Sequence, residues 1–132
     1  MELVADTTVL VGLWRRQEWA CHYARSNPTA SLILPWVVLG EFWNGAIRAG
    51  HPTKQVQAFL DMGIPFHDTE QVVEPYARLA SELQKIGDYQ KVGQNDLWIG
   101  AVAIALGRPL ISRNCRHFEC MKGLEFQALD PA

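Results

Sequence analysis

Three acidic residues, Asp6, Glu41 and Asp96, stand beside apolar segments of this 132-residue chain. A carboxylate at the border of a core is costly unless it has a hydrogen-bond partner, an opposite charge or a metal ion. If the three acids lie together, their repulsion favours a cation between them, and carboxylate oxygens prefer Mg²⁺ or Mn²⁺. Such an ion activates water and neutralises charge on a phosphate, so the predicted chemistry is hydrolysis of phosphodiesters.

Each acid also has a purely structural explanation. Asp6 can cap the helix that follows it, and Asp96 can complement a helix dipole from the first turn. Glu41 has apolar neighbours at positions 39, 42 and 43 and can pair with Arg48. These explanations hold for each acid taken alone. A shared metal site requires that the fold bring the three acids together.

Short apolar runs separated by helical patterns predict an α/β fold. The runs that are typical of buried strands occur at residues 3–5, 31–36, 64–67, 108–114 and 124–126. We therefore expect a central, mostly parallel sheet of about five short strands with helices on both faces. Residues 93–107 are apolar on nearly all sides and predict a buried helix, with Asn95 as its N-cap and Gly107 as its end.

This order of elements predicts that four polar side chains meet at one edge of the sheet. Asp6 ends the first strand, and Glu41 lies in the helix after the second strand. Asp96 begins the helix that leads into the last core strand, and Asn114 ends that strand. Ligands of parallel sheets bind beyond the carboxyl ends of the strands. The four are the predicted catalytic residues, and the three acids among them are the predicted metal ligands.

Four segments together resemble a known family. They are residues 4–8 (VADTT), 40–45 (GEFWNG), 95–101 (NDLWIGA) and 110–118 (LISRNCRHF). In this order they are similar to the motifs of a PIN-domain ribonuclease of the VapC type, the toxin of a toxin–antitoxin pair. The resemblance covers nearly the whole chain and implies a PIN-like three-layer sandwich. It also implies magnesium-dependent cleavage of RNA with Mn²⁺ as a substitute, a homodimer, and neutralisation by an antitoxin that inserts a segment near the active site.

The chain departs from the family pattern at two positions. Many relatives carry a fourth acid where this chain has Asn114, whose amide can orient a water or a phosphate but adds no negative charge. His117 stands where relatives often have an acid, and we interpret it as a surface residue of a loop. The missing acid leaves open a degenerate PIN module that binds RNA or protein without cutting. A 5′ or flap nuclease acting on DNA is a weaker alternative, because the chain has no segment for a helical arch.

Two further groups of residues predict contacts with partners. Arg113 and Arg116 flank the end of the last core strand, beside the acids, and we expect them to bind RNA phosphates. Large aromatic residues in the early helices predict an apolar groove for an antitoxin segment, with a basic residue of that segment reaching Asp6 and Glu41. These aromatic residues are Trp14, Trp19, Tyr23 and Trp43, and their alternative role is in the core.

Composition limits the remaining possibilities. A chain of this length predicts a single domain, residues 1–132, with 48% hydrophobic and 20% charged residues. Its net charge of -2 gives no global basic field, which counts mildly against nucleic acid but allows a local basic patch. No apolar run is long enough to span a bilayer, and no leader pattern opens the chain, so we expect a cytoplasmic protein. The three cysteines lack a CxxC pair and predict free thiols, not a zinc site.

Overall fold

Five short parallel strands form the centre of the computed structural model, which describes residues 1–129. The strands are β1 (Glu2–Ala5), β2 (Ser31–Pro35), β3 (Ile64–Phe66), β4 (Leu110–Ser112) and β5 (Phe126–Ala128). They lie in the order β3-β2-β1-β4-β5, and all four neighbouring pairs are parallel. The predicted parallel sheet is confirmed. Residues 130–132 of the predicted single domain lie outside the described residues.

Helices connect the strands. Within residues 1–129 they are α1 (Thr7–Trp14), α2 (Glu18–Ser26), α3 (Trp36–Ala49), α4 (Thr53–Leu60), α5 (Glu70–Lys85), α6 (Gln94–Leu106) and α7 (Cys115–Phe118), with a 3-10 turn at Tyr89–Lys91. None of the helices in this part of the chain is long and apolar enough to cross a membrane. The cysteines are free thiols, as predicted.

The chain reverses its direction along the sheet once. It moves outward from β1 through β2 to β3 and then crosses back to β4, on the other side of β1. Right-handed crossovers in opposite directions place their helices on opposite faces, which gives the predicted three layers. The reversal leaves a crevice between β1 and β4, at the carboxyl ends of two neighbouring strands. Parallel sheets bind their ligands at such a point.

The core surrounds β1 and α6. Residues Leu3, Val4 and Ala5 of β1 are each at most 2% exposed, because β1 is the central strand of the sheet. In α6, which packs on α5, the fully buried residues include Leu97, Ile99, Ala101, Val102 and Ala103. The apolar character of residues 93–107 is thus explained by burial of a helix between other elements.

The ends of α6 agree with the sequence prediction at one end only. Gly107 ends the helix in the left-handed conformation with φ of 63°, as predicted. The predicted N-cap is wrong, because α6 begins at Gln94 and Gly93 occupies the cap position with an extended backbone. Asn95 therefore lies within the first turn, and its amide is available for a contact outside the helix.

A tight turn at residues 15–17 separates α1 from α2. Arg16 adopts the left-handed conformation there, with φ of 54°. The turn folds Trp19 of α2 back over Gly12 of α1, and a Cβ atom on Gly12 would lie 2.3 Å from Cζ2 of Trp19. Only glycine permits this approach, so Gly12 fixes the position of the Trp19 ring.

Candidate active site

Asp6 is a buried acid at the carboxyl end of β1. It is 2% exposed and also caps α1, as its structural explanation requires. Its Oδ1 accepts hydrogen bonds from the Thr8 hydroxyl at 2.6 Å and from the Val9 N–H at 3.4 Å. Its Oδ2 accepts one from the Ser112 hydroxyl of β4 at 2.5 Å. A carboxylate has about four acceptor positions, so capping leaves room for a further ligand.

The position of Asp6 opposes its ionisation. Burial raises the pKa of Asp6 from 3.8 to about 6, against the opposing effect of the hydrogen bonds from Ser112, Thr8 and Val9. The negative charge of Asp96 raises the pKa further. A bound cation would offset both the burial and the repulsion, so the electrostatics of Asp6 favour a metal ion nearby.

Glu41 is a half-buried acid that joins three helices. Its Oε1 accepts a hydrogen bond from the Thr7 hydroxyl of α1 at 2.5 Å. Its Oε2 accepts one from the Asn95 amide of α6 at 3.2 Å. Within residues 1–129, Glu41 forms no ion pair with Arg48, so that structural alternative is wrong. The side chain is instead held by two neutral donors that point toward the crevice from either side.

Asp96 lies in the first turn of α6, as predicted, and faces the end of β4. Its Oδ2 accepts a hydrogen bond from the Asn114 amide at 3.1 Å and contacts Nδ1 of His117. The Asn114 backbone N–H donates to the Ser112 hydroxyl at 2.8 Å. The interpretation of His117 as a surface loop residue is wrong, because it lies in α7, one turn after Asn114, and its ring turns inward to Asp96.

Three of the four predicted residues, Asp6, Asp96 and Asn114, lie along one hydrogen-bonded network at the carboxyl edge of the sheet, whereas Glu41 is bonded to Thr7 and Asn95. Ser112 links Asp6 to the backbone of Asn114, and the Asn114 side chain continues to Asp96. Sequence reasoning missed the polar residues that orient these acids, which are Thr7, Thr8, Asn95, Ser112 and His117. Only their position in the sequence could have indicated this role, since all but Asn95 lie within three residues of Asp6 or Asn114.

The donor set fits a hard divalent cation. Asp6, Glu41 and Asp96 offer only carboxylate oxygens, which are the ligands preferred by Mg²⁺ and Mn²⁺. Among residues 1–129, no three His, Cys, Asp or Glu side chains already stand close enough to share one ion. Hydroxyl and amide donors hold the acids instead. These hydrogen bonds use only part of the acceptor capacity of the carboxylates.

The two predicted phosphate-binding arginines have different surroundings. The Arg113 guanidinium carbon lies 4.3 Å from the centre of the Trp19 ring, and its backbone N–H donates to the Thr8 hydroxyl oxygen at 3.2 Å. Arg116 is exposed on α7. Across residues 1–129 neither arginine forms an ion pair with a carboxylate.

The four aromatic residues of the early helices differ in their surroundings. Trp14 packs edge-on against Phe42 and Phe59, with ring centres 5.8 and 5.2 Å apart, and lines a cleft between α1 and α3. Trp19 lines a different cleft beside Thr7 and Thr8, and Tyr23 borders a third near Pro28. Trp43 is half-buried against the core. Trp14 and Trp19 thus line neighbouring clefts that share Val11 and Arg15, and the apolar groove for an antitoxin segment stays a prediction.

The fold and site define an α/β domain with an acidic cleft at the carboxyl edge of a parallel sheet. The family model described as the PIN domain matches residues 3–122, and the chain belongs to the PIN domain family. A curated relative named Ribonuclease VapC1, from Rickettsia felis, is 30% identical over 95% of this chain and 94% of its own.

Solved structures share the fold. The DNA-bound VapBC of Salmonella typhimurium superposes with a TM-score of 0.84 at 19% identity, covering 98% of this chain and 99% of that one. A toxin–antitoxin complex from Klebsiella pneumoniae gives a TM-score of 0.76 at 19% identity, with 98% of each chain covered. The resemblance stated from the four sequence segments, a PIN domain of the VapC type, is confirmed.

Proposed function

We propose that this chain is a single-domain, metal-dependent endoribonuclease and the toxin of a toxin–antitoxin pair. The observation that carries the proposal is the meeting of Asp6, Asp96 and Asn114 in one hydrogen-bonded network at the crevice between β1 and β4. Glu41 borders the same crevice through Thr7 of α1 and Asn95 of α6. A curated relative named as a ribonuclease supports the activity. The cytoplasmic location stays a prediction, and an RNA substrate agrees with it.

Asp6, Glu41 and Asp96 are the residues that would hold the ion, and Mg²⁺ or Mn²⁺ suits their oxygens. The ion, when bound, supplies an activated water and neutralises charge on the scissile phosphate. The hydroxyls of Thr7 and Thr8 hold Glu41 and Asp6 in fixed orientations. This arrangement reduces the reorganisation that the acids need when substrate arrives.

Asn114 and His117 orient Asp96 through contacts with its carboxylate oxygen. With its amide bonded to Asp96, Asn114 stands where it can position a water or a phosphate oxygen. Arg113 and Arg116 are proposed to bind RNA phosphates beside the acids, since they have no carboxylate partner among residues 1–129. The opposite charges of acids and arginines divide the surface into a metal-binding part and a phosphate-binding part.

Single-turnover cleavage of RNA tests the activity. We expect cleavage by the wild-type protein, loss of cleavage in EDTA, and recovery when Mg²⁺ or Mn²⁺ is added in excess. Sequencing the RNA ends after brief induction of the protein in cells would identify the substrate. Intact RNA at every metal concentration would reject the nuclease. That result would favour the degenerate PIN module, for which Asn114 in place of an acid is the supporting observation.

Asn114→Asp should tighten Mn²⁺ binding, because it adds a carboxylate beside Asp96, which the Asn114 amide now contacts. We expect an increase of about tenfold in affinity, equivalent to about 1.4 kcal/mol. Asn114→Ala should change Mn²⁺ affinity little but slow cleavage, because the orienting amide is lost. Calorimetric titration and single-turnover cleavage check both variants. Equal Mn²⁺ affinities for Asn114→Asp and wild type would place Asn114 outside the site.

A cognate antitoxin is the proposed protein partner. Structural neighbours that are toxin–antitoxin complexes support such a partner, and the homodimer implied by the family resemblance is part of the same proposal. We assign the antitoxin segment to the α1–α3 cleft, which is lined by Val11, Trp14 and Phe42 and includes Glu41. An apolar segment can fill this cleft while a basic side chain reaches Glu41.

Trp14→Ala should weaken antitoxin capture by about tenfold or more, because an aromatic wall of the α1–α3 cleft is removed. A co-expression pull-down measures the loss, and Tyr23→Ala is the matched control, since Tyr23 borders another cleft. Circular dichroism should show that both variants fold. Full antitoxin binding by a folded Trp14→Ala variant would assign Trp14 to the core alone.

A further inference from the structure

A second cleft adjoins the acids and shares Val11 and Arg15 of α1 with the α1–α3 cleft. We name it the Trp19–Arg113 cleft, and it has a volume of about 420 Å³. This volume lies in the range of roughly 300–1,000 Å³ that is typical of small-ligand sites. Its lining residues are Thr7, Thr8, Val11, Arg15, Gln17, Trp19 and Arg113.

The floor of the cleft is bonded directly to the acids. Thr7 donates its hydroxyl to Glu41, and Thr8 donates its hydroxyl to Asp6. The same Thr8 oxygen accepts the backbone N–H of Arg113 at 3.2 Å. The cleft is thus separated from the predicted metal ligands by a single layer of hydroxyl groups. A polymer bound at the acids would place its next unit in this cleft.

The cleft is positively charged. Arg15 and Arg113 contribute two guanidinium groups, and in the described part of the chain neither forms an ion pair with a carboxylate. Each guanidinium has five N–H donors in a planar fork, a geometry that matches phosphate oxygens. The cleft therefore fits an anionic ligand with at least one phosphate.

The cleft also has a flat, rigid wall. The Trp19 ring is pressed against Gly12, and its Nε1 donates to the Gln17 side-chain oxygen at 2.9 Å. Arg113 lies over the ring, with 4.3 Å between its guanidinium carbon and the ring centre. Bases of single-stranded RNA stack on aromatic rings and on arginine planes. Gln17 keeps its amide N–H groups available as donors to a base edge.

We propose that the Trp19–Arg113 cleft binds the nucleotide of single-stranded RNA that adjoins the scissile phosphodiester. Arg15 and Arg113 bind the phosphate of this nucleotide, and the Trp19–Arg113 stack supports its base. The proposal rests on the proposed ribonuclease function and adds to it a subsite for a flanking nucleotide. Charge favours RNA as the occupant, because this cleft is lined by two arginines and no acid, whereas the α1–α3 cleft is lined by Arg15 and Glu41.

Binding of a defined RNA to an inactive protein tests the subsite. The parent protein carries Asp96→Asn, and the probe is a labelled oligouridylate of about 12 nucleotides in the presence of Mg²⁺. Inorganic polyphosphate of similar length serves as a probe that has phosphates but no bases. The variants are Trp19→Ala, Trp19→Phe, Gly12→Ala and Arg113→Ala. Arg48→Ala is the matched control, since Arg48 is exposed in the last turn of α3.

Trp19→Ala should weaken oligouridylate binding by roughly 5- to 100-fold and polyphosphate binding much less, because the stacking surface is lost while both guanidinium groups are kept. Trp19→Phe should restore most of the affinity. Gly12→Ala should act like Trp19→Ala, because the new methyl group displaces the ring although it removes no polar side chain. Arg113→Ala should weaken both probes and reduce the salt slope by about one unit or less. Arg48→Ala should match the parent.

Three results would overturn the subsite. They are unchanged oligouridylate affinity in both Trp19→Ala and Gly12→Ala, equal losses for oligouridylate and polyphosphate, and loss of antitoxin capture with RNA binding intact. Thermal melting of each variant shows that it is folded. Failure of the nuclease is distinguishable, because Trp19-dependent RNA binding would then persist in a wild-type protein that does not cut. Cleavage by wild type with no effect at Trp19 would reject the subsite alone.

Discussion

Asp96→Asn is expected to reduce single-turnover RNA cleavage by about 100-fold or more. Asp96 is one of three acids proposed to hold the metal ion, and it also anchors Asn114 and His117. The variant removes a negative charge but keeps the shape of the side chain. Asp6→Asn and Glu41→Gln should produce losses of similar size for the same reason. Cleavage of a single labelled RNA under enzyme excess measures all three.

The losses of cleavage activity in the single variants should not add in a double variant. If the acids share one ion, the double variant Asp6→Asn/Asp96→Asn should be about as inactive as either single variant. Asp61→Asn is the matched control, because Asp61 is exposed at the end of α4, where it accepts a hydrogen bond from Gln57. We expect wild-type cleavage from this control. Wild-type rates in all three site variants would show that the chemistry lies elsewhere.

Asp6→Asn is expected to stabilise the metal-free protein at neutral pH while it abolishes cleavage. Burial raises the pKa of Asp6 from 3.8 to about 6 in the folded protein. Between about pH 4 and 6 the folded protein therefore keeps a proton on Asp6 that the unfolded chain has released. Stability falls as pH rises through this window, because the unfolded state loses its proton first.

The size of this stabilisation follows from the shift in the pKa of Asp6. A change from 3.8 to about 6 corresponds to about 3 kcal/mol of unfolding free energy, lost between the two pKa values and absent from Asp6→Asn. The advantage of Asp6→Asn over wild type should grow by about this amount from pH 4 to pH 7 in EDTA. Urea unfolding at both pH values measures it, with Asp61→Asn as the control. A pH-independent difference between Asp6→Asn and wild type would show that Asp6 ionises normally.

Excess Mg²⁺ should reverse the order of stability. The ion binds the folded wild-type protein and raises its unfolding free energy, whereas Asp6→Asn lacks one of the ligands. Stabilisation by Mg²⁺ of both proteins to the same extent would mean that Asp6 is not a ligand.

The sequence predicted the sheet, and the approach of Asp6, Asp96 and Asn114 at its edge, because both follow from local patterns. A short apolar run that stops at Asp6, and another that stops near Asn114, are enough to place both residues at carboxyl ends of strands. The register then sets Asp6 beside Ser112, since Ala5 pairs with Ile111. Parallel pairing is a general rule of alternating strands and helices, so it was predictable.

The contacts that orient the acids were not predictable because they join distant residues. Asn95 has the composition of an N-cap, but Gly93 caps α6 and the Asn95 amide reaches Glu41, which lies 54 positions earlier. His117 turns to Asp96 only because α7 begins immediately after Asn114. Propensity scales describe a residue and its neighbours along the chain, whereas the packing of α3, α6 and α7 determines these side-chain contacts.

The aromatic residues show the same limit. Trp14 and Trp19 are close in sequence and both lie in early helices, so the sequence did not show which of them lines the predicted groove. The turn at residues 15–17 reverses the chain, and the two rings line different clefts that share Val11 and Arg15 of α1. This turn depends on the left-handed conformation of Arg16. The sequence did not indicate that conformation, because the residues that adopt it are usually glycine or asparagine.

Calorimetric titration of Mn²⁺ into the metal-free protein tests most directly whether Asp6, Glu41 and Asp96 form one metal site. We expect saturable binding to wild type and to Asp61→Asn, and a loss of about tenfold or more in affinity for each of Asp6→Asn, Glu41→Gln and Asp96→Asn. The triple variant should bind Mn²⁺ no more tightly than a protein that lacks the site. Wild-type Mn²⁺ affinity in the triple variant would contradict the assignment of these acids as ligands.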